Sequence, residues 1–156
     1  MIFTSIPVKA SDEYYTDIVN NRITEESIES ICENVGKRYG ILPELLQSIA
    51  WKESNYMVNA ENKGAKGLCQ IVTKWHTDRI NKLGITDVYD PYSNILLCAD
   101  IISELRNHKY GEDVSFTLMA YNMGLDKAEQ IYESCNISNY ANSILGKSYE
   151  LECVEE

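Results

Sequence analysis

The chain has 156 residues and a mass of 17.8 kDa, which is the size of one domain with its own hydrophobic core. Its hydrophobic content of 44% and charged content of 24% exclude a wholly disordered chain. The formal net charge of −10 argues against a general nucleic-acid binder and against docking on an anionic membrane, because both need a basic surface. No segment approaches the roughly 20 consecutive apolar residues that cross a bilayer, so membrane insertion is not expected.

Both ends of the chain are expected to lie outside the main domain. Residues 1–23 have no sustained hydrophobic period and predict an irregular N-terminal arm. Residues 24–148 are predicted to form the domain, and residues 149–156 a short acidic tail. The beginning of the chain lacks a basic segment followed by a continuous apolar stretch, so no secretory signal is predicted.

Helical signals follow one another along the domain. N-cap residues, first-turn prolines and terminal glycines mark the ends of apolar segments with helical spacing. The predicted helices span 25–39, 43–54, 91–107, 114–123, 126–134 and 139–146. The polar stretch Asn59–Lys66 predicts either a small hairpin or only a loop. The predicted fold class is therefore mainly α, with at most a small β-hairpin.

The cysteines and histidines do not form a metal-binding pattern. The five cysteines are odd in number and have no close pairing, and no C-x-x-C motif occurs. His76 and His108 are far apart in the sequence. Neither a metal site nor another cofactor is therefore predicted. Most of the thiols are expected to be reduced, with several filling helical core positions.

One carboxylate occupies a position where an apolar side chain is expected. A single face of the second predicted helix carries Leu42, Leu46, Ile49 and Glu53. The Glu53 carboxylate either points to water, paired with Lys52, or lies in a cleft wall with a raised pKa. Periodicity alone favours the first alternative. The second would give the side chain the chemistry of a general acid near neutral pH.

This carboxylate begins a series of sequence blocks in a specific order. The blocks are Glu53-Ser54, Gly67-Leu68-Cys69-Gln70-Ile71, Asp90-Pro91-x-x-Asn94-Ile95, Ala120-Tyr121-Asn122-Met123-Gly124, and Tyr140 followed by Ile144. The series resembles the soluble lytic transglycosylases, lysozyme-like enzymes that cleave bacterial peptidoglycan and are related to the goose-type lysozymes. The resemblance runs from about Leu42 to Ile144 and implies a lysozyme-like helical domain.

The chain departs from the family pattern at three positions. Cys69 stands where the family usually has Met, Thr73 where it often has Pro, and Met123 where it has a small residue. These substitutions change packing, and through it the shape of the sugar subsites, rather than the chemistry.

The resemblance implies one catalytic residue. Glu53 would protonate the glycosidic oxygen between N-acetylmuramic acid and N-acetylglucosamine. It would then act as a base toward the muramic C6 hydroxyl, which closes onto C1 and gives a 1,6-anhydro product. No second acid stands out in the blocks, whereas two-carboxylate glycosidases need a partner.

The resemblance also implies a set of substrate-site residues. They are Ser54, Gln70, Tyr121, Asn122 and Tyr140, and the Tyr140 hydroxyl would in addition hold Glu53 in position. Each has a structural alternative: a polar helix end for Ser54, a loop hydrogen bond for Gln70 and a helix cap for Asn122. The two tyrosines would then be ordinary core residues.

Four other residues are assigned to structure rather than to substrate. Trp51 and Trp75 are expected in the core, as large aromatic residues usually are. Asp90 and Asn94 are expected to begin a helix.

The leading functional hypothesis is a lytic transglycosylase that acts on peptidoglycan glycan strands as a monomer. A hydrolytic muramidase would use the same Glu53, with water in place of the C6 hydroxyl. A non-catalytic wall-binding or assembly module is the alternative from another class. Action on the bacterial cell wall without a visible signal implies release through a phage holin, delivery by a virion, or excision from a larger protein. A phage or mobile-element origin is favoured among these.

Overall fold

The computed structural model describes residues 17–154. These residues form seven α-helices, one 3-10 helix and five short strands, which confirms the mainly α fold class. The helices are α1 (Glu25–Tyr39), α2 (Pro43–Ser54), α3 (Thr77–Leu83), α4 (Pro91–Leu105), α5 (Val114–Met123), α6 (Leu125–Glu133) and α7 (Asn139–Glu152). The strands are β1 (Ile18–Val19), β2 (Arg22–Ile23), β3 (Glu61–Asn62), β4 (Ala65–Lys66) and β5 (Ile71–Val72), and the 3-10 helix is Thr73–Trp75.

Helix α4 is the centre of the fold because it is buried on nearly every side. All its residues from Pro91 to Ala99 are buried, as are Ile101 and Ile102. A helix with this pattern is stable only when other elements surround it. Helices α1, α2, α3 and α5 pack against α4. The helix starts as predicted, because the Asp90 carboxylate accepts a hydrogen bond from the Ser93 backbone N–H at 2.9 Å.

Helix α2 packs against both α1 and α7. Its inner face contains Leu46 and Ile49, which are fully buried. Leu42 is the N-cap residue and is 58% exposed, so its predicted place on the apolar face is wrong. The apolar face begins inside the helix because Pro43 occupies the first turn.

Helix α7 is longer than the sequence pattern indicated. The Ser138 hydroxyl accepts a hydrogen bond from the Ala141 backbone N–H at 3.2 Å and fixes its start. The helix continues past the predicted end at Gly146 and reaches Glu152. Much of the predicted acidic tail is therefore helical. Residues 155–156 lie outside the described residues.

The described end of the predicted irregular arm is a β-hairpin. Strands β1 and β2 pair antiparallel, with Val19 opposite Arg22. The two residues between them, Asn20 and Asn21, have φ values of 53° and 64°, which is the conformation of a type I′ turn. Ile23 is only 1% exposed and ties the hairpin to the core. Residues 1–16 of the predicted arm lie outside the described residues.

A second small sheet follows α2. The predicted hairpin within Asn59–Lys66 is confirmed, since β3 and β4 pair antiparallel. Strand β5 adds a third member by pairing with β4, so the strand content exceeds one hairpin. Helix α3 was also not predicted, and it has no side-chain cap that the sequence could reveal.

A buried amide fastens the second sheet to the central helix. The Asn94 side-chain oxygen accepts a hydrogen bond from the Cys69 backbone N–H at 2.8 Å. Its amide nitrogen donates to the carbonyl oxygens of Val88 at 2.7 Å and Lys66 at 3.2 Å. Gly67 has a φ of 74°, and a Cβ there would lie 2.2 Å from the Asn94 amide nitrogen. The loop can follow this path only with glycine at that position.

The cysteines mainly serve packing. Cys32, Cys69 and Cys98 are fully buried, whereas Cys135 and Cys153 are exposed, and all five are free thiols. The expectation that several cysteines fill core positions is therefore confirmed. None of the helices within residues 17–154 is long and apolar enough to span a membrane.

Replacing the buried amide should destabilise the protein. Asn94→Ala would leave one buried N–H and two carbonyl groups without their partner, and we expect the free energy of unfolding to fall by about 2–4 kcal/mol. Urea unfolding followed by circular dichroism would measure the loss. Asn142→Ala, at an exposed position of α7, is the matched control and should change stability by less than about 0.5 kcal/mol. Equal stability of the two variants would contradict the role of Asn94.

Candidate active site

Glu53 lies in the last turn of α2, partly buried, in the wall of a cleft of about 300 Å³. The helix ends directly after it because Asn55 and Tyr56 both adopt the left-handed conformation, with φ values of 52° and 65°. The Asn55 backbone N–H donates to the Trp51 carbonyl oxygen at 2.8 Å and closes the last turn. The side chain therefore lies in a cleft, not at a solvated helix edge.

The predicted contact between Glu53 and Tyr140 is present. The Tyr140 hydroxyl donates a hydrogen bond to a Glu53 carboxylate oxygen at 2.5 Å, although the two residues are 87 positions apart. Packing of α7 on α2 produces this contact. The phenol thus fixes the direction of the carboxylate from a separate helix.

Opposing effects act on the acidity of Glu53. Burial raises the pKa of this carboxyl, whereas the Tyr140 hydrogen bond and the Lys52 charge lower it, and burial dominates. The carboxyl also lies at the C-terminal end of α2, where the helix dipole disfavours a negative charge. Lys52 donates a hydrogen bond to the Ser143 hydroxyl at 3.2 Å. The raised pKa makes Glu53 a proton donor at a higher pH than an ordinary glutamate.

The cleft lies between the end of α2, the second sheet, α4 and α5. Among the described residues that line it, Glu53 is the only carboxylate. The other lining residues are Asn62, Ala65, Gln70, Ile71, Val72, Trp75, His76, Ile101, Tyr121 and Asn122. The cleft thus combines one acid with amide, imidazole and apolar groups.

Gln70 and Tyr121 both line the cleft and also hold its wall together. The Gln70 amide nitrogen donates to the carbonyl oxygens of Ala60 and Gly67, each at 3.0 Å. The structural alternative for this amide nitrogen is therefore the one observed. The Tyr121 hydroxyl donates to the Cys69 carbonyl oxygen at 2.8 Å. Their roles in substrate binding stay predictions.

Asn122 and Ser54 differ in their placement. Asn122 is an exposed residue near the end of α5 and lines the cleft, where its amide offers both a donor and an acceptor. The Ser54 hydroxyl donates to the Ala50 carbonyl oxygen at 3.1 Å, within its own helix. Ser54 is not among the residues that line the cleft. Of the predicted site residues, the structure thus places four in the cleft wall, namely Glu53, Gln70, Tyr121 and Asn122. Tyr140 contacts the site through its hydrogen bond to Glu53.

Two aromatic residues of the cleft were not predicted. Trp75, expected in the core, is 72% exposed, so that expectation is wrong. Its neighbours Lys74 and His76 are polar, and this was the available sign that the segment lies at the surface. Burial, followed by the nearby Arg79 charge, lowers the pKa of His76, which makes it a neutral imidazole at pH 7. Within residues 17–154, no group of three or more His, Cys, Asp or Glu side chains is placed to hold a metal ion.

Comparison with known proteins identifies the family. The sequence model of the protein family described as the transglycosylase SLT domain matches residues 30–143, which is the greater part of the chain. The chain belongs to the transglycosylase SLT domain family. The family resemblance, the lysozyme-like fold class and the transglycosylase class of enzyme inferred from the sequence are thereby confirmed.

Two other proteins are similar to the chain. The SLT domain is 34% identical over 118 residues to the X polypeptide of Escherichia coli, a match that covers 66% of this chain and 68% of the relative. It also resembles the solved structure of an inactive mutant of the lytic transglycosylase Slt from Pseudomonas aeruginosa, with a TM-score of 0.60 and 20% identity. That match covers 76% of this chain and 20% of that chain, so the SLT domain spans about a fifth of its length. At this identity the likeness establishes the fold alone.

Removing the phenolic hydroxyl should raise the pKa of Glu53 further. Tyr140→Phe deletes the hydrogen bond that opposes the effect of burial, and the ring and its packing are kept. A carbon-13 NMR titration of the Glu53 carboxyl would measure the shift. Tyr149→Phe, at an exposed position of the same helix, should leave the pKa unchanged. A lower or unaltered pKa in Tyr140→Phe would show that the contact does not set the acidity.

Proposed function

We propose that this SLT domain is a peptidoglycan lytic transglycosylase that cleaves the β-1,4 bond between N-acetylmuramic acid and N-acetylglucosamine. The observation that carries the proposal is the state of Glu53. It is a cleft carboxyl whose pKa is raised by burial and whose direction is held by Tyr140. An acid of this kind is suited to protonate a leaving glycosidic oxygen near neutral pH.

In the proposed reaction, Glu53 transfers its proton to the glycosidic oxygen as the bond from that oxygen to the muramic C1 breaks. The substrate's own acetamido group supports the developing positive charge at C1. The muramic C6 oxygen then bonds to C1, and Glu53, now a carboxylate, takes the C6 hydroxyl proton. The acid is regenerated, and the product ends in a 1,6-anhydro ring. One carboxylate suffices for this sequence, which agrees with the absence of a second carboxylate among the described residues of the cleft.

Two amide side chains are the best placed to hold the saccharide. We assign Asn122 to a hydrogen bond with an acetamido or hydroxyl group close to Glu53, since both residues line the same cleft. The Gln70 amide nitrogen is already committed to Ala60 and Gly67, so we assign its amide oxygen to the sugar. Orienting groups of this kind contribute to catalysis by keeping the reacting atoms aligned.

A hydrolytic muramidase is the second candidate, and one observation favours it. His76 lines the cleft as a neutral imidazole, which is able to accept a proton from water. Water would then replace the C6 hydroxyl as the group that attacks C1.

A non-catalytic wall-binding module is less well supported. Such a module gains nothing from a partly buried carboxyl, which costs stability when it ionises.

We further propose that the protein acts on the glycan strands of the bacterial cell wall as a monomer.

The proposed acid should be indispensable for activity. Glu53→Gln keeps the shape of the side chain and an acceptor for the Tyr140 hydroxyl, but it has no proton to give. We expect the rate of lysis of purified cell walls, followed by turbidity, to fall at least about 100-fold. A folded variant that retains half of the wild-type rate would refute the assignment of Glu53.

The same substitution should stabilise the fold at high pH. A carboxyl whose pKa is raised on folding binds its proton more tightly in the folded than in the unfolded state. Below the ordinary pKa of glutamate, the buried Glu53 carboxyl is protonated in both states and does not lower the free energy of unfolding. That free energy then falls as pH rises from the ordinary pKa through the raised one. Glu53→Gln should therefore have a higher free energy of unfolding than the wild type at pH 8 and the same one below about pH 4. Lower stability of the variant at pH 8 would contradict the burial effect.

The mass of the products distinguishes the two enzymatic candidates. Digestion by a transglycosylase should give muropeptides lighter by one water than those from a hydrolase. His76→Gln should leave both the anhydro product and most of the activity in place, because Glu53 performs both proton transfers. Full-mass products that disappear with His76→Gln would instead establish the muramidase.

A further inference from the structure

Trp75 is an exposed indole in the wall of the cleft that contains Glu53. Isolated apolar side chains are common on protein surfaces and need no explanation by themselves. Trp75, however, differs from the other exposed hydrophobic residues in its position. The other large exposed hydrophobic residues described are Ile18, Val19, Leu42, Leu125, Ile137, Tyr149 and Val154. None of these lines the cleft, whereas Trp75 does.

The position of the indole is fixed by the backbone around it. Trp75 ends the 3-10 helix that directly follows strand β5. The His76 backbone N–H donates to the Thr73 carbonyl oxygen at 3.0 Å and closes this turn. Strand β5 in turn pairs with β4, where Ala65 also lines the cleft. The backbone that carries the ring is thus hydrogen-bonded within its own turn and follows a strand of the second sheet, which limits the entropy lost when a ligand binds.

The surroundings of the indole suit an amphipathic ligand. Val72 and Ile101 line the same cleft and are apolar residues. The Lys74 ammonium lies 5.3 Å from the centroid of the Trp75 ring. Asn122 and His76 supply polar groups in the same cleft. An aromatic face beside hydrogen-bonding groups matches a sugar, whose ring has an apolar C–H face and a polar edge of hydroxyl and acetamido groups.

We propose that Trp75 forms a saccharide-stacking subsite, in which the indole packs on the apolar face of an N-acetylhexosamine ring bound in the cleft that contains Glu53. This assignment rests on the proposed function for the class of substrate. Trp75 binds and orients the glycan strand and takes no part in proton transfer. Its loss therefore affects substrate affinity far more than turnover of the bound substrate.

The test uses chitotetraose as a soluble probe and the Glu53→Gln protein as the background, so that binding is measured without cleavage. Isothermal titration calorimetry compares this background with versions that carry Trp75→Ala or Trp75→Tyr in addition. We expect Trp75→Ala to weaken binding roughly tenfold or more and Trp75→Tyr, which keeps a ring, to recover part of the loss. Tyr149→Ala removes an exposed ring outside the cleft and serves as the matched control, with unchanged affinity.

A second measurement uses the protein with Glu53 intact. The rate of lysis is followed against cell-wall concentration, and Trp75→Ala should raise the apparent KM with a much smaller effect on kcat. Thermal unfolding of the variant should match the wild type, because an exposed ring contributes little to packing.

The possible outcomes separate the two proposals. Equal binding of chitotetraose with and without Trp75 overturns the stacking subsite and leaves the proposed function in place. A loss confined to kcat overturns it as well, since stacking acts through affinity. If even the Glu53→Gln protein with Trp75 intact fails to bind chitotetraose, the substrate class itself is refuted, and the subsite falls with it.

Discussion

The architecture of the cleft depends on a single buried amide. Asn94 belongs to the central helix α4, yet its side chain bonds the backbone of Lys66 at the end of β4, of Cys69 in the loop after it, and of Val88 in the loop before α4. The sheet strands are only two residues long and cannot hold a fixed position by their own pairing. Because the amide bonds the backbone on both sides of Gly67, it anchors the segment that leads to Gln70. The Tyr121 hydroxyl completes the attachment from α5 through the Cys69 carbonyl oxygen.

The pKa of Glu53, at the end of α2, results from opposing electrostatic effects. Burial favours the protonated form, as a proton donor requires, but it makes the ionised form costly. The Tyr140 hydroxyl reduces that cost and at the same time fixes the carboxylate direction. A carboxyl that must first donate and then accept a proton needs both states to be accessible. The proposed single-residue mechanism therefore depends on the contact between α2 and α7 as much as on Glu53 itself.

Most helix starts could be predicted from the sequence because an N-cap side chain bonds a backbone N–H only two or three residues further along the chain. Thr24, Asp90 and Ser138 accept hydrogen bonds from backbone N–H groups in their own first turn, so short segments suffice to reveal them. Strands of two residues have no period to detect, and the Asn20-Asn21 turn was the only available sign of the first hairpin. Helix α3 was not predicted because it has no side-chain cap to mark its start in the sequence.

The sequence by itself determined the family and the helical fold class. It also predicted Glu53 as the acid, because this residue interrupts an apolar face inside an ordered series of blocks. Only the tertiary structure decided how those residues are used. It placed Trp75 at the surface of the cleft, committed the Gln70 amide nitrogen to loop carbonyls, and turned the Ser54 hydroxyl back onto its own helix. It also decided that burial prevails over the Tyr140 hydrogen bond at Glu53. Burial and long-range contacts depend on which elements pack together, and spacing along one chain does not contain that information.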